Sequence, residues 1–238
     1  MKIISKPDLN TVNAEHECFI IKNVFHPDHC DDLLIFLDNF SKSNANNEKY
    51  MGENWHYWVT ANGNNFDSFL FQNLNGIEFP LIKNFYREIF SLYKSLGEKT
   101  YYDDFNKECG LQEDAVKMIN PLIFWYKAGL SKFGWHKHPS SNQKFQLLSN
   151  LTSPGIDYTG GETYIYMGDG PPEQGNLDNC EIFGFQFEKG DVFSFPYDRW
   201  HKVNSIQNGS GGWQSRVSLL MPLGKRSGGD LNEYIDEL

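Results

Sequence analysis

From Ala115 onward the chain breaks into short runs rich in β-branched and aromatic residues, and this succession restricts the possible folds more than any other feature. The runs are "MINPLIFWYK", "QKFQLLSNLT", "GETYIYM", "EIFGFQFEKG", "DVFSFP" and "SRVSLLMPL", separated by clusters of Gly, Pro, Asn and Asp. None is long enough for a typical helix. The alternation of Phe183, Phe185 and Phe187 places three rings on one face of an extended segment. Many short strands, each with one face to bury, satisfy one another by packing as two antiparallel sheets. With helices ahead of them, the expected class is α+β: an antiparallel double sheet with the amino-terminal helices packed on one sheet.

Those helices are readable from spacing. In "ECFIIKNVFHPDHCDDLLIFLDNF" a strand is expected from Phe19 to Val24, and Pro27 then suits the first position of a helix. Leu33, Leu34, Phe36, Leu37 and Phe40 follow at three-and-four spacing, which makes that helix amphipathic. A polar stretch from Ser41 to Lys49 and an aromatic block, "NWHYWVTANGNNFD", come next. A second helix is expected in "FPLIKNFYREIFSLYKSLG", with Leu81, Ile82, Phe85, Ile89, Phe90, Leu92 and Tyr93 on one face and Gly97 as a stop. A single domain over 1–238 is expected, with a helical region over 1–114, a β core over 115–224 and a short tail over 225–238.

Charge narrows the function classes. With 31 acidic against 21 basic residues the net charge is −10, and a chain so acidic is a poor general binder of phosphate backbones. No run of about 18 apolar residues occurs, so no membrane-spanning helix is expected. The start carries an apolar patch without a signal-peptide core, and Cys18, Cys30, Cys109 and Cys180 show no paired spacing. A reduced, cytoplasmic protein with free thiols and no disulfide framework is the expectation.

Seven histidines are present, and they fall into groups. His16, His26 and His29 lie in or near the first helix and read as surface or capping imidazoles. His56, inside "NWHYWV", suits either a cleft wall or core packing. His136 and His138, in "FGWHKHPS", stand two apart, so on an extended strand both point to one face and can reach one metal ion while Lys137 faces away. His201 arrives after "GDVFSFP", and Arg216 follows fifteen residues later in the apolar run "SRVSLLMPL". In that strand Arg216 shares a face with Ser218, and a guanidinium there calls for an anion to offset its desolvation.

These elements, in this order, resemble the iron(II) and 2-oxoglutarate dependent oxygenases, whose core is a double-stranded β-helix or jelly roll. The likeness runs from about Tyr126 to Leu223, and "FIIKNVFHPDHCDDLLIFL" is similar to the entry segment of the prolyl-hydroxylase-like branch. "FGWHKH" stands where that branch carries HxD or HxE; Asp157 to Glu162, "DYTGGE", matches its double-glycine turn; Gly190 to Pro196 leads to the distal histidine, His201. The resemblance implies metal ligation by His136, His138 and His201, and cosubstrate binding by Arg216, Ser218 and Tyr126. It further implies Fe(II) and 2-oxoglutarate as cofactors and molecular oxygen as co-reactant. The implied reaction is C–H hydroxylation, or a related oxidation, of a small polar metabolite such as an amino acid. Trp213 and His56 are candidate substrate contacts, and the layout is also similar to the branch that hydroxylates or halogenates free amino acids.

The departure from the family is His138, where a carboxylate is usual and where the halogenases carry Gly or Ala. Three readings follow: a neutral three-His site, a carboxylate supplied instead by Asp157 or Glu162, or a shifted register with His138 first and Ser140 at the acid position. Two other functions stay open. One is a three-His dioxygenase independent of 2-oxoglutarate; the other is a non-catalytic jelly-roll binding module. Arg216 also has a structural alternative, pairing with Asp198 or Glu162.

Overall fold

The computed structural model describes residues 9–13, 18–43, 55–58, 68–71, 81, 85, 88–89, 92–93, 95–96, 122–129, 132–138, 145–168, 172 and 182–220, excluding the side chains of 9–13, 41, 55–58 and 68–71. The elements run β1 (Leu9–Asn13), β2 (Cys18–Ile21), α1 (Pro27–Ser43), β3 (Trp55–Trp58), β4 (Ser68–Phe71), β5 (Leu122–Lys127) and β6 (Phe133–His136). They continue with β7 (Phe145–Asn150), β8 (Tyr158–Gly160), β9 (Thr163–Tyr166), β10 (Ile182–Phe185), β11 (Val192–Pro196), β12 (His201–Val203), β13 (Ile206–Asn208) and β14 (Ser215–Leu220). The described chain is mostly β-sheet with one complete helix.

An eight-stranded sheet has the order β1-β2-β11-β7-β14-β5-β4-β3, a four-stranded sheet the order β10-β9-β12-β6, and β13 pairs with β8. Neighbouring strands in these sheets run antiparallel throughout. Period-two alternation gives the large sheet two different faces. Ile123, Trp125, Leu147, Val192, Val217 and Leu219 pack on one side with Cys30, Leu33, Leu34 and Leu37 of α1. Leu148, Phe193, Phe195 and Leu220 look the other way, where they meet Ile165 and Phe185 of the small sheet. Each such buried aliphatic or aromatic side chain contributes on the order of 2 kcal/mol. The site lies on this second, inner face.

The helix begins at Pro27, whose missing N–H costs nothing at a first helical position. His26 caps it, its Nδ1 accepting from the Asp28 backbone N–H at 3.3 Å. Of the second helical pattern, Phe85, Ile89, Leu92 and Tyr93 are helical and buried in the same cluster as α1; Ile82, Phe90 and Gly97 lie outside the described residues. Cys18 and Cys30 are buried and not joined in a disulfide, while Cys109 and Cys180 lie outside the described residues. Among the described residues no helix is long and apolar enough to cross a membrane.

One strand boundary differs from the sequence reading. β2 stops at Ile21 rather than Val24, because Asn23 turns into the left-handed region at φ 54°. Asp191 holds it there: its Oδ1 accepts from the Asn23 N–H at 2.9 Å and its Oδ2 from Lys22 Nζ at 2.6 Å. Gly190, next to that aspartate, has φ +83°, and a Cβ there would run into the Phe25 carbonyl.

Candidate metal centre

β6 ends and β12 begins on a histidine, and the register sets His136 directly opposite His201. Their ring centroids are 4.1 Å apart. Two residues beyond His136 the chain places His138 on the same side, its ring 5.6 Å from His136 and 5.1 Å from His201. One ligand nitrogen from each imidazole lies within 4.8 Å of the other two. Phe133 meets His136 edge-on at 4.0 Å, Phe195 stands 5.1 Å from His201, and Tyr197 lies 5.2 Å from His138.

The hydrogen bonds select the tautomers. His136 Nδ1 is 2.9 Å from the Gly134 carbonyl and His201 Nδ1 is 2.9 Å from the Arg199 carbonyl, each two residues upstream. A carbonyl can only accept, so both rings carry the proton on Nδ1 and keep the Nε2 lone pair for a ligand. His138 Nε2 is buried and has no hydrogen-bond partner. Burial pushes His136 down to about 3, opposed by the Gly134 carbonyl and assisted by His138. Burial takes His138 to about 4. It lowers His201 well below the ordinary imidazole range, with His136 and His138 adding to the effect and the Arg199 carbonyl opposing it. All three rings are therefore neutral bases at pH 7, the form that binds metal.

The carboxylate alternatives do not reach this cluster. Asp157 is buried, but its Oδ2 accepts from the Ser153 N–H at 2.9 Å and so closes the 153–157 turn. Glu162 accepts from Asn204 Nδ2 at 3.1 Å. Among the described residues the grouping is three histidines and no acid, and Ser140 lies outside them. Three imidazoles with free lone pairs and one unpartnered Nε2 fit a divalent transition metal.

The second constellation hangs from the large sheet. Arg216 points inward from β14 and is 1% exposed, the largest fully buried side chain among the described residues. Its NH1 donates to the Gly161 carbonyl at 2.7 Å, NH2 to Thr163 Oγ1 at 2.9 Å, and Nε to Asn150 Oδ1 at 3.3 Å. All three acceptors are neutral, and no carboxylate among the described residues, Asp198 and Glu162 included, forms an ion pair with it. Ser218 Oγ also donates to Asn150 Oδ1, at 3.4 Å. Tyr126 is the cross-strand partner of Arg216, with its ring 6.0 Å from the guanidinium. Burial raises the Tyr126 hydroxyl above its usual range, against the pull of Arg216. Gly161 takes φ +70° in the "YTGGE" turn, and a Cβ there would press on Ile206, Tyr158 and Arg216.

Asn150 is the functional residue that sequence reasoning missed. Its Nδ2 donates to the Tyr158 hydroxyl at 2.9 Å and to the Phe187 carbonyl at 2.8 Å while Oδ1 receives Arg216 and Ser218. The signal that could have found it is a polar side chain inside the apolar run "FQLLSNL". Trp213, a candidate substrate contact by sequence, packs edge-on to Trp125 at 5.5 Å against the helix-side cluster. His56 belongs to β3, the terminal strand of the large sheet, and its side chain lies outside the described residues.

The two constellations are near neighbours. Thr163, which receives Arg216, pairs with Val203, while His201 pairs with Ile165. The guanidinium and the imidazoles are thus offset by two residues of strand, about 7 Å.

No protein-family model matches the sequence, and no curated protein does either. Solved structures do match in fold. A prolyl-4-hydroxylase from Pseudomonas putida aligns with a TM-score of 0.56 at 13% identity, over 88% of this chain and 94% of that one. The non-haem α-ketoglutarate dependent carbocyclase SnoK from nogalamycin biosynthesis aligns with a TM-score of 0.55 at 9% identity, over 94% and 87%. The corresponding epimerase SnoN gives 0.51 at 9% identity, over 90% and 82%. At these identities the likeness is one of fold: the double-stranded β-helix of the 2-oxoglutarate and iron(II) oxygenases.

Proposed function

We propose that this protein is a non-haem iron oxygenase that couples 2-oxoglutarate decarboxylation to C–H hydroxylation, or a related oxidation, of a small polar metabolite. One observation carries the reading: a buried guanidinium without a carboxylate partner among the described residues stands about 7 Å along the strands from three neutral imidazoles. That interval suits a short dicarboxylate with one end on the cation and the other at the metal. His136, His138 and His201 would hold Fe(II), which supplies the activation of oxygen and the oxidative decarboxylation.

The chain's own residues supply position and dryness. Arg216 would receive the far carboxylate through charge-assisted hydrogen bonds, with Ser218 and Tyr126 beside it. Asn150 fixes the guanidinium's plane through Nε before any ligand arrives, so little ordering is left for binding. Phe133, Phe195 and Tyr197 keep water off the imidazoles.

The test is anaerobic addition of Fe(II) and then 2-oxoglutarate. A metal-to-ligand charge-transfer band in the visible, with succinate released on admitting oxygen, is the expected result; metal binding with neither signal would overturn the proposal. A second reading draws on the missing acid: an all-imidazole set also suits a dioxygenase that does without 2-oxoglutarate. Under it, turnover would proceed without added 2-oxoglutarate and release no succinate, whereas the first reading requires both.

A further inference from the structure

Gln146 is a buried polar side chain of the inner face that the proposed chemistry leaves unused. It is 0% exposed, and neither Nε2 nor Oε1 has a hydrogen-bond partner. Its direction follows from alternation along β7. Leu147 packs on the helix side while Leu148 and Asn150 face inward, so Gln146 faces inward with them. Its cross-strand partner is Phe195, the residue that stands 5.1 Å from the His201 ring.

Its level in the barrel separates it from the cosubstrate. Asn150, the partner of Arg216, lies four residues along β7 from Gln146, about 13 Å, nearly twice the offset between Arg216 and His201. A five-carbon diacid anchored on Arg216 ends at the metal and stops short of that amide. By this count Gln146 lies beyond His136 and His201 as seen from Arg216, which under the oxygenase reading is the side for the molecule to be oxidised.

A primary amide presents an acceptor and a donor on one edge, side by side. The described residue paired with Gln146, Phe195, is neutral. The buried charged side chains among the described residues are Asp157, Asp191 and Arg216, and the first two are held by the Ser153 N–H and by Lys22. An ammonium or carboxylate docked on Gln146 would find no counter-charge there, and burying it unpaired is costly. A neutral group with donor and acceptor on the same edge fits, as in a primary carboxamide, a lactam or a ureide. A trans peptide unit does not, because its N–H and C=O point opposite ways.

We infer that Gln146 is a specificity-determining residue that recognises a cis-amide edge on the substrate, an inference that rests on the oxygenase reading for the substrate's place beyond the metal. The test uses the metal-free full-length chain and ligand-observed NMR, with pyrrolidinone as the lactam probe and N-methylacetamide as the trans-amide control. Saturation transfer to pyrrolidinone and not to the control is expected in the wild type, with affinity at least tenfold weaker in Gln146→Met. The unfolding temperature of that variant should be unchanged or raised, since it removes an unpaired buried amide. Gln146→Leu, which loses both donor and acceptor, serves as a second variant and should show the same loss. Equal pyrrolidinone binding in either folded variant, or equal binding of the control, overturns the inference. The charge-transfer band with Fe(II) and 2-oxoglutarate should be the same in Gln146→Met as in wild type. Its absence from both would sink the oxygenase reading, whereas lost lactam discrimination with the band intact would sink this one alone.

Discussion

The inner wall of the barrel carries two sites built in opposite ways. On the small sheet and the chain just past it, three imidazoles stand neutral, with carbonyls engaging only the Nδ1 side of His136 and His201. On the large sheet a permanently charged guanidinium spends its N–H groups on three neutral acceptors from β7, β9 and the turn between β8 and β9. The first site is prepared for a ligand and adds little to the fold until one arrives. The second is woven into the fold, since it joins the large sheet to the small one. Binding function and structural function should therefore separate by mutation at the histidines and fail to separate at Arg216.

Arg216→Ala is the most severe way to break this contrast. It removes the largest fully buried side chain among the described residues, takes its donors from the Gly161 carbonyl and Thr163 Oγ1, and leaves Asn150 Oδ1 with the Ser218 hydroxyl alone. A loss of about 3–5 kcal/mol is expected by denaturant titration, the range for a broken buried network. Arg216→Lys should recover some of the stability but not 2-oxoglutarate binding, because an ammonium lacks the planar fork. Wild-type stability in Arg216→Ala would mean that the network does not tie the sheets together.

His201→Ala should behave differently. Metal at one hundred times its dissociation constant stabilises the wild type by about 2.7 kcal/mol, and that increment should vanish in the variant. The metal-free stability should change by no more than about 1 kcal/mol, checked by thermal unfolding with and without chelator. A metal-dependent shift surviving in His201→Ala would remove this residue from the ligand set.

Acid sharpens the same contrast by a smaller amount. The imidazoles are held neutral in the fold, so the unfolded chain takes up their protons first as pH drops through about 6.5. Their contribution is complete above that pH and is lost progressively as pH falls toward about 4 for His138 and about 3 for His136. Metal-free wild type should thus unfold at lower denaturant as pH goes from 7 to 5, with a shallower slope in His201→Ala. Equal slopes would mean that the rings are solvated.

What the sequence revealed of the two sites follows the same division. The histidines were legible because strand periodicity is local: His136 and His138 share a face by spacing alone, and Arg216 with Ser218 likewise. Registers over long separations were not. Asn150 meets Ser218 across 68 residues of chain, and nothing within "FQLLSNL" specifies that partner. The end of β2 at Ile21 is set by Asp191, 168 residues from Asn23. Trp213, expected as a substrate contact, lies in a loop whose course no local pattern specifies. Gln214, at φ 47°, and the pairing of β14 with β5 set the ring against Trp125 on the helix side.

The smallest expected effect probes how the two sites speak to each other. His138→Asp exchanges a neutral ligand for an anionic one without touching the Arg216 network, so fold stability and iron stoichiometry should be retained. Charge at the metal falls by one unit, and a dianionic cosubstrate then binds a less positive centre while its far carboxylate still meets Arg216. Across several ångströms of partly screened interior such a change is worth about 1 kcal/mol, or roughly fivefold weaker 2-oxoglutarate binding by titration of the charge-transfer band. Folded His138→Asp without iron would exclude position 138 from the ligand set. Unchanged cosubstrate affinity would show instead that Arg216 alone governs the diacid, and the third imidazole would then need another reason for standing where the family it resembles carries an acid.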